Sequence, residues 1–330
     1  MATIPSLGEI EAARAALGDA VLETPAHSWR GPEIAAAGPD GAQVLAKLEL
    51  FQVTGTFKAR GALTNLLRMS EAARRRGVTA VSAGNHAIAV AYAARALGST
   101  AKVAMPKTAP PFRRARAESY GAEVILTETI AEAFETGQRI QEEEGRTLIH
   151  PYEGANTVLG TATVGWEFCR QAAALDVNLD AVIVPVGGGG LIAGVAAAVK
   201  QMAPGCKVYG VEPEGAPALR RSLDAGEPVE IDAVRTIADS LGAPYAMPET
   251  FAVIQDCVDD IVLVDDAAMK RAMRFVFENL KLAVEPGCAA GTAALTGPLK
   301  DRLAGQSVGL VFCGSNIGHD TFCQQVAEAG

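Results

Sequence analysis

The sequence predicts an α/β protein with parallel sheets wrapped by helices. Three observations lead there. Strand-like and helix-like patterns alternate from Val78 to the C-terminus. Turns of small or polar residues, opening at Ala83, Gly187 and Cys313, each leave the end of an apolar strand pattern, where ligands sit in open α/β sheets. Aromatic residues make up only 5% of the chain while glycine reaches 34 residues, as expected of closely packed layers. With 330 residues, the chain is long enough for two lobes.

The elements follow in order. Met1 to Leu17 lacks a basic segment followed by an apolar one, so an opening loop and helix is expected rather than a signal peptide. Thr56 suits the N-cap of a helix with apolar residues at Ala59, Ala62, Leu63, Leu66 and Leu67. Val78 to Ser82 forms a strand, followed by the turn at Ala83 and an alanine-rich helix from Ala87 to Leu97. Next come strand Thr100 to Met105, a basic helix from Pro110 to Tyr120, and strand Glu123 to Leu126. An acidic helix, Ile130 to Glu144, and strand Thr147 to His150 follow. A long helix from Ala155 leads to strand Ala181 to Val186, four consecutive glycines, and a helix opening at Leu191. Strands Lys207 to Glu212 and Asp260 to Val264 precede helices Ala267 to Leu282 and Cys288 to Leu303. Strand Ser307 to Phe312, the turn Cys313 to Asn316 and a closing helix end the chain.

The totals exclude several classes. A formal charge of -9 argues against a nucleic-acid partner. No apolar run is long enough for a membrane helix. The cysteines, Cys169, Cys206, Cys257, Cys288, Cys313 and Cys323, form no CxxC pair, so neither a zinc site nor a disulfide framework is expected. A reducing cytoplasm is the expected compartment.

Gly187, Gly188, Gly189 and Gly190 join a strand to a helix. Residues without Cβ let successive N–H groups curl around one phosphate, and the helix start adds free donors. The same run also fits G-x-G-x-x-A over Gly188 to Ala193, with Glu212 ending the next strand, the pattern of a dinucleotide site. Its mid-chain position, Pro185 before it and the four glycines favour a single phosphate. Lys58 falls in the first turn of its helix, where the dipole favours a neutral, nucleophilic amine; spacing alone equally allows a solvated surface lysine. The turn Ser82-Ala83-Gly84-Asn85-His86 offers free N–H groups to a carboxylate, or is simply an N-cap turn. His86, His150 and His319 are each either bases or structural, and Cys313 is a nucleophile, a redox thiol or a packed core residue.

Taken together, these segments resemble the fold-type II pyridoxal-phosphate (PLP) enzymes of the serine/threonine dehydratase and serine racemase group. The motifs occur in order along nearly the whole chain: Lys47 to Gln52, Thr54 to Lys58, Ser82 to His86, Pro185 to Gly190, Gly210 to Pro213, Ile237 to Asp239, Glu285-Pro286, and Cys313 to Asn316. The resemblance implies a tryptophan synthase β-like fold with two open twisted sheets, mostly parallel, and the cofactor between domains. Residues 1–68 and 152–330 would form the large PLP-binding domain, and residues 69–151 a small mobile one. It implies that Lys58 holds PLP as a Schiff base, Phe57 borders the ring, Asn85 bonds the ring hydroxyl and Gly187 to Gly190 grip the phosphate. Cys313 would meet the pyridine nitrogen, with Ser315 as a fallback. Thr56, Ser82, Ala83, Gly84 and His86 would bind substrate. The implied reaction is β-elimination from a 3-hydroxy amino acid: Lys58 removes the Cα proton, the hydroxide leaves protonated by the cofactor phosphate, and a 2-keto acid and ammonia are released. A homodimer is implied.

Departures refine this expectation. Racemases of the group place a serine where Ala83 stands, so dehydration is favoured over racemisation. Glu212 and the Ala216 carbonyl match a family cation site, but Ala218 replaces its second acid, which puts a divalent cation in doubt. Ser240, the run Leu159 to Thr163, and Ile88 depart from the pattern and are expected to put bulk or hydroxyls near the pocket. The expected substrate is a threonine- or serine-like 3-hydroxy L-amino acid, and these changes leave open one other than plain threonine or serine, such as a bulkier or acidic one. No regulatory domain is expected after the Cys313 turn. The competing functions are a racemase, a β-replacement synthase, a dinucleotide oxidoreductase and a non-enzymatic PLP- or amino-acid-binding regulator.

Overall fold

Apolar runs with β-branched residues pair into ten strands. In the computed structural model, which describes residues 4–330, these are β1 (Ala26–Trp29), β2 (Gln43–Lys47), β3 (Val78–Val81), β4 (Ala101–Pro106), β5 (Glu123–Thr127), β6 (Thr147–Leu148), β7 (Ala181–Pro185), β8 (Lys207–Pro213), β9 (Asp260–Val264) and β10 (Ser307–Val311). They form a six-stranded sheet of order β1-β2-β10-β7-β8-β9 and a four-stranded sheet of order β5-β4-β3-β6. Every pairing is parallel except β1 with β2. Central β7 is buried along its whole length, as expected when helices cover both faces of a sheet. The architecture is the expected fold: two mostly parallel sheets flanked by helices.

Several boundaries differ from expectation. The helix after the Ala83 turn begins two residues early, at Asn85. The helix expected over Cys288 to Leu303 spans Pro286–Leu295; proline is favoured in the first turn, and Gly297-Pro298 ends the run. Thr56 is not the N-cap of its helix: that helix is Lys58–Leu67 and its cap is Phe57, although the Thr56 hydroxyl accepts from the Lys58 N–H at 3.4 Å. Strands β1 and β2 had no clear pattern in the sequence. They are short, and β1 alternates only weakly in burial.

Three helices set the frame of the site. Helix Ala155–Ala174 lies between Lys58–Leu67 on one side and Gly190–Met202 on the other. Glycines let the backbones touch. A Cβ at Gly160 would lie 2.6 Å from the Arg60 carbonyl oxygen and 2.8 Å from the Gly61 Cα. A Cβ at Gly194 would lie 2.4 Å from the Ala162 nitrogen and 2.5 Å from the Val158 oxygen. Thr161 Oγ1 then donates to the Gly190 carbonyl at 2.6 Å. Beneath this layer, Arg60 donates to both Glu49 and Glu167, and Lys47 donates to Glu167 at 2.8 Å. All four side chains are fully buried, so removing one partner would strand the others.

Gly194→Ala should therefore destabilise the fold. Helix propensity favours alanine by about 1 kcal/mol, but overpacking against backbone costs about 1–3 kcal/mol or more. Urea unfolding should show a lower midpoint; an unchanged or raised midpoint contradicts the backbone contact.

Candidate active site

A cavity of about 240 Å³ lies where the C-terminal ends of β3 and β7 face each other across the two sheets. Lys58, Phe57, Asn85, Cys313 and the glycine run all line it.

The glycine run is shaped by what surrounds it. A Cβ at Gly188 would lie 2.2 Å from the Tyr152 ring, and Gly189 adopts φ +89°, a conformation that favours glycine. Residues 187–191 find no acceptor for their N–H groups in the described residues. Five backbone donors thus converge on one end of the cavity, at the start of a 13-residue helix. This donor set fits a phosphate.

Lys58 is half-buried. Its Nζ donates to the Pro151 carbonyl at 2.6 Å and lies 5.1 Å from the centroid of the Phe57 ring. Burial lowers its pKa to about 8, with the Glu285 carboxylate acting the other way.

The turn after β3 carries free N–H groups at Ala83, Asn85 and His86, while the Gly84 N–H is taken by the Ser82 hydroxyl at 3.1 Å. Asn85 donates from Nδ2 to both oxygens of Glu285, at 2.9 and 3.1 Å, and accepts at Oδ1 from Asn316 at 2.8 Å. One lone pair of that oxygen is left for a ligand hydroxyl. Burial raises the pKa of Glu285, opposed chiefly by the Arg113 guanidinium.

The other expected residues fall in different places. His86 also lines the cavity, and its Nε2 lies 2.8 Å from the Ile149 carbonyl. Burial pushes its pKa down to about 3, so the ring is neutral and anchors the turn. His150 is held down to about 4 by burial, and its Nδ1 accepts from the Glu153 N–H at 3.0 Å. His319 is exposed beside Asp320. The Cys313 thiol is raised by its hydrogen bond to Cys288 and by burial, which keeps it protonated.

Three expectations require correction, and Glu212, already doubtful as a cation ligand, is engaged elsewhere. Thr56 is fully buried and bridges to Gly314 instead of lining the cavity. Ser315 points away and donates to the Leu50 carbonyl at 3.5 Å. Ile88 is buried inside its helix, the Thr161 hydroxyl donates to the Gly190 carbonyl of the neighbouring helix and the Thr163 hydroxyl to the Gly160 carbonyl of its own, so of the substrate departures only Ser240 lines the cavity. Glu212 accepts from the N–H groups of Leu219 and Arg220 at 2.9 and 2.8 Å and so caps helix Ala218–Ala225.

Two wall residues gave no individual signal in the sequence. Tyr152 follows a strand end without any pattern. Arg113 is one of three arginines in a basic helix, and only its burial separates it from the others.

Comparison with known proteins agrees with the geometry. Residues 19–314 match the family described as pyridoxal-phosphate dependent enzyme. Phenylserine dehydratase of Ralstonia pickettii is 51% identical over 98% of this chain and 97% of its own. L-threo-3-hydroxyaspartate ammonia-lyase of Pseudomonas sp is 40% identical over 84% of this chain and 86% of its own. The structure of maize serine racemase superimposes with a TM-score of 0.90 at 35% identity, covering 98% of both chains. The chain belongs to the pyridoxal-phosphate dependent enzymes of fold type II, in the serine/threonine dehydratase family. Its cofactor is PLP, and the dinucleotide expectation for Gly188 to Ala193 falls.

The lowered pKa of Lys58 has a measurable consequence. Only the neutral amine attacks an aldehyde, and it predominates above about pH 8. The rate at which the apoenzyme takes up PLP should rise from pH 7 and flatten between 8 and 9. A rate that still climbs near pH 10, as for a lysine of ordinary pKa, contradicts the burial effect.

Proposed function

We propose that this chain is an ammonia-lyase that eliminates water from a 3-hydroxy L-amino acid to give an enamine, which tautomerises to an imine and is hydrolysed by water to a 2-keto acid and ammonia. The observation that carries this reading is the desolvated amine of Lys58 in one cavity with five unpartnered backbone donors and the Ser82 to His86 turn. In it, the N–H groups of Gly187 to Gly190 and Leu191 hold the cofactor phosphate, and Phe57 borders the ring. Asn85 accepts the ring hydroxyl. The Cys313 thiol, kept neutral, meets the pyridine nitrogen without protonating it. PLP so bound supplies an electron sink for the pair left at Cα. The N–H groups of the Ser82 to His86 turn take the substrate carboxylate. Lys58 removes the Cα proton, since its lowered pKa makes the amine a competent base near neutrality.

Ala83 lines the cavity with a methyl group that has no proton to exchange, which disfavours racemisation. Retention of Lys58 disfavours a regulator that only binds. Glu212 spends both oxygens on backbone, so a cation there finds little support.

The walls also bear on the substrate side chain. Lys58 and Arg113 are the only cationic groups among the described lining residues, because His86 is neutral. One carboxylate can be matched and a second cannot. Leu241, Ala243 and Tyr152 offer apolar surface instead. A neutral, bulky side chain such as that of phenylserine fits better than the acidic one of hydroxyaspartate. The lobe at residues 69–151 is proposed to move over the substrate. The enzyme is proposed to work in the cytoplasm, in keeping with its six free cysteines, and as a homodimer, for which light scattering should give twice the chain mass.

Lys58→Ala should lose both the visible absorbance of the bound cofactor and keto-acid release; retained turnover defeats the reading. In a substrate panel, kcat/KM for 3-phenylserine should exceed that for 3-hydroxyaspartate by at least about tenfold, the scale of one unmatched charge. The reverse order contradicts the apolar pocket.

A further inference from the structure

Arg113 crosses the cleft. It belongs to helix Pro111–Ser119, which follows β4 in the four-stranded sheet, but its side chain binds residues that belong with the other sheet. Nε and Nη2 donate to the Asn316 carbonyl at 3.2 and 3.0 Å, and Nη2 and Nη1 donate to the two carboxylate oxygens of Asp239. The residue is only 4% exposed. A guanidinium has five N–H donors, and these contacts use four. The fifth is on Nη1. That atom would lie 3.3 Å from a Cβ at Gly84, so it sits against the turn whose own N–H groups at Ala83, Asn85 and His86 are free.

A buried guanidinium with one N–H unused, beside three free amides, suits a carboxylate. We propose that Arg113 is a substrate-binding residue: its remaining Nη1–H and the amides of the Ser82 to His86 turn together hold the α-carboxylate of the amino acid. Asp239 and Asn316 hold the guanidinium plane in place for this contact. They also make the site complete only when the two sheets are brought together, because the charge reaches the turn while anchored on the opposite side. The identity of the ligand as an amino acid rests on the ammonia-lyase reading; the carboxylate contact itself does not.

The test uses the holoenzyme. Arg113→Ala and Arg113→Gln are compared with wild type on a 3-hydroxy amino acid and on the corresponding amino-acid amide, which lacks the carboxylate. Binding is read from the change in the visible cofactor absorbance, and turnover from keto-acid release. For the amino acid, both variants should raise Kd and KM by roughly 10- to 100-fold, the range of one hydrogen bond to a charged group. For the amide, Kd should stay within about twofold of wild type, well below the effect of one such bond. Arg113→Gln keeps an amide donor and much of the volume, so it serves if Arg113→Ala fails to hold the cofactor. An unchanged Kd for the amino acid overturns the proposal. So does an equal loss for acid and amide, which would make Arg113 a purely structural strut. If wild type binds amino acids but releases no keto acid, the lyase reading fails while the Kd comparison still decides the role of Arg113.

Discussion

The site depends on backbone-to-backbone contact among three helices. Lys58 opens one of them, Gly190 opens another, and helix Ala155–Ala174 is packed between the two. The spacing between the backbone at Lys58 and the glycine run is therefore set by the closest approach of main chains. Gly160 and Gly194 permit that approach, and the Thr161 hydroxyl fastens it to the Gly190 carbonyl. The buried cluster of Arg60, Glu49, Glu167 and Lys47 pins the same helix two residues beyond Lys58. Charges so deeply buried contribute little net stability, but they fix one arrangement, because every alternative strands an ion.

Within this frame, burial drives most groups toward neutrality. The amine of Lys58, the rings of His86 and His150, the phenol of Tyr152 and the thiol of Cys313 all shift in the direction that favours the uncharged form. Arg113 keeps its charge because Asp239 and the Asn316 carbonyl compensate for its burial. The result is a cavity with free dipoles for anions at both ends and, between them, an amine whose pKa is lowered to about 8. Such a pocket suits a cofactor that carries its own phosphate and a substrate that carries one carboxylate.

Much of this was legible in the sequence. The parallel sheets announce themselves because their strands are continuous apolar runs, and β7 with its four following glycines is the clearest instance. Lys58, Asn85, Cys313 and the glycines gather in one cavity because each lies at the C-terminal end of a strand or the start of a helix, positions that local pattern marks well. Long-range packing was not legible. Whether Thr161 faces a pocket or a helix depends on Gly190, 29 residues away. Ser315 and Thr56 share motifs with residues of the cavity, yet the chain turns their hydroxyls elsewhere. Arg113 finds its partners 126 and 203 residues along the chain, and no local period separates it from Arg114 or Arg116.

The Lys58 amine, held by the three-helix frame, is proposed to be the nitrogen joined to the cofactor. Borohydride reduction of the holoenzyme, followed by peptide mapping, tests it directly. Reduction makes the bond between cofactor and lysine permanent, and the phosphopyridoxyl group should be found on the peptide that carries Lys58. Its recovery on any other lysine, or an unmodified Lys58 peptide from fully loaded enzyme, would contradict it.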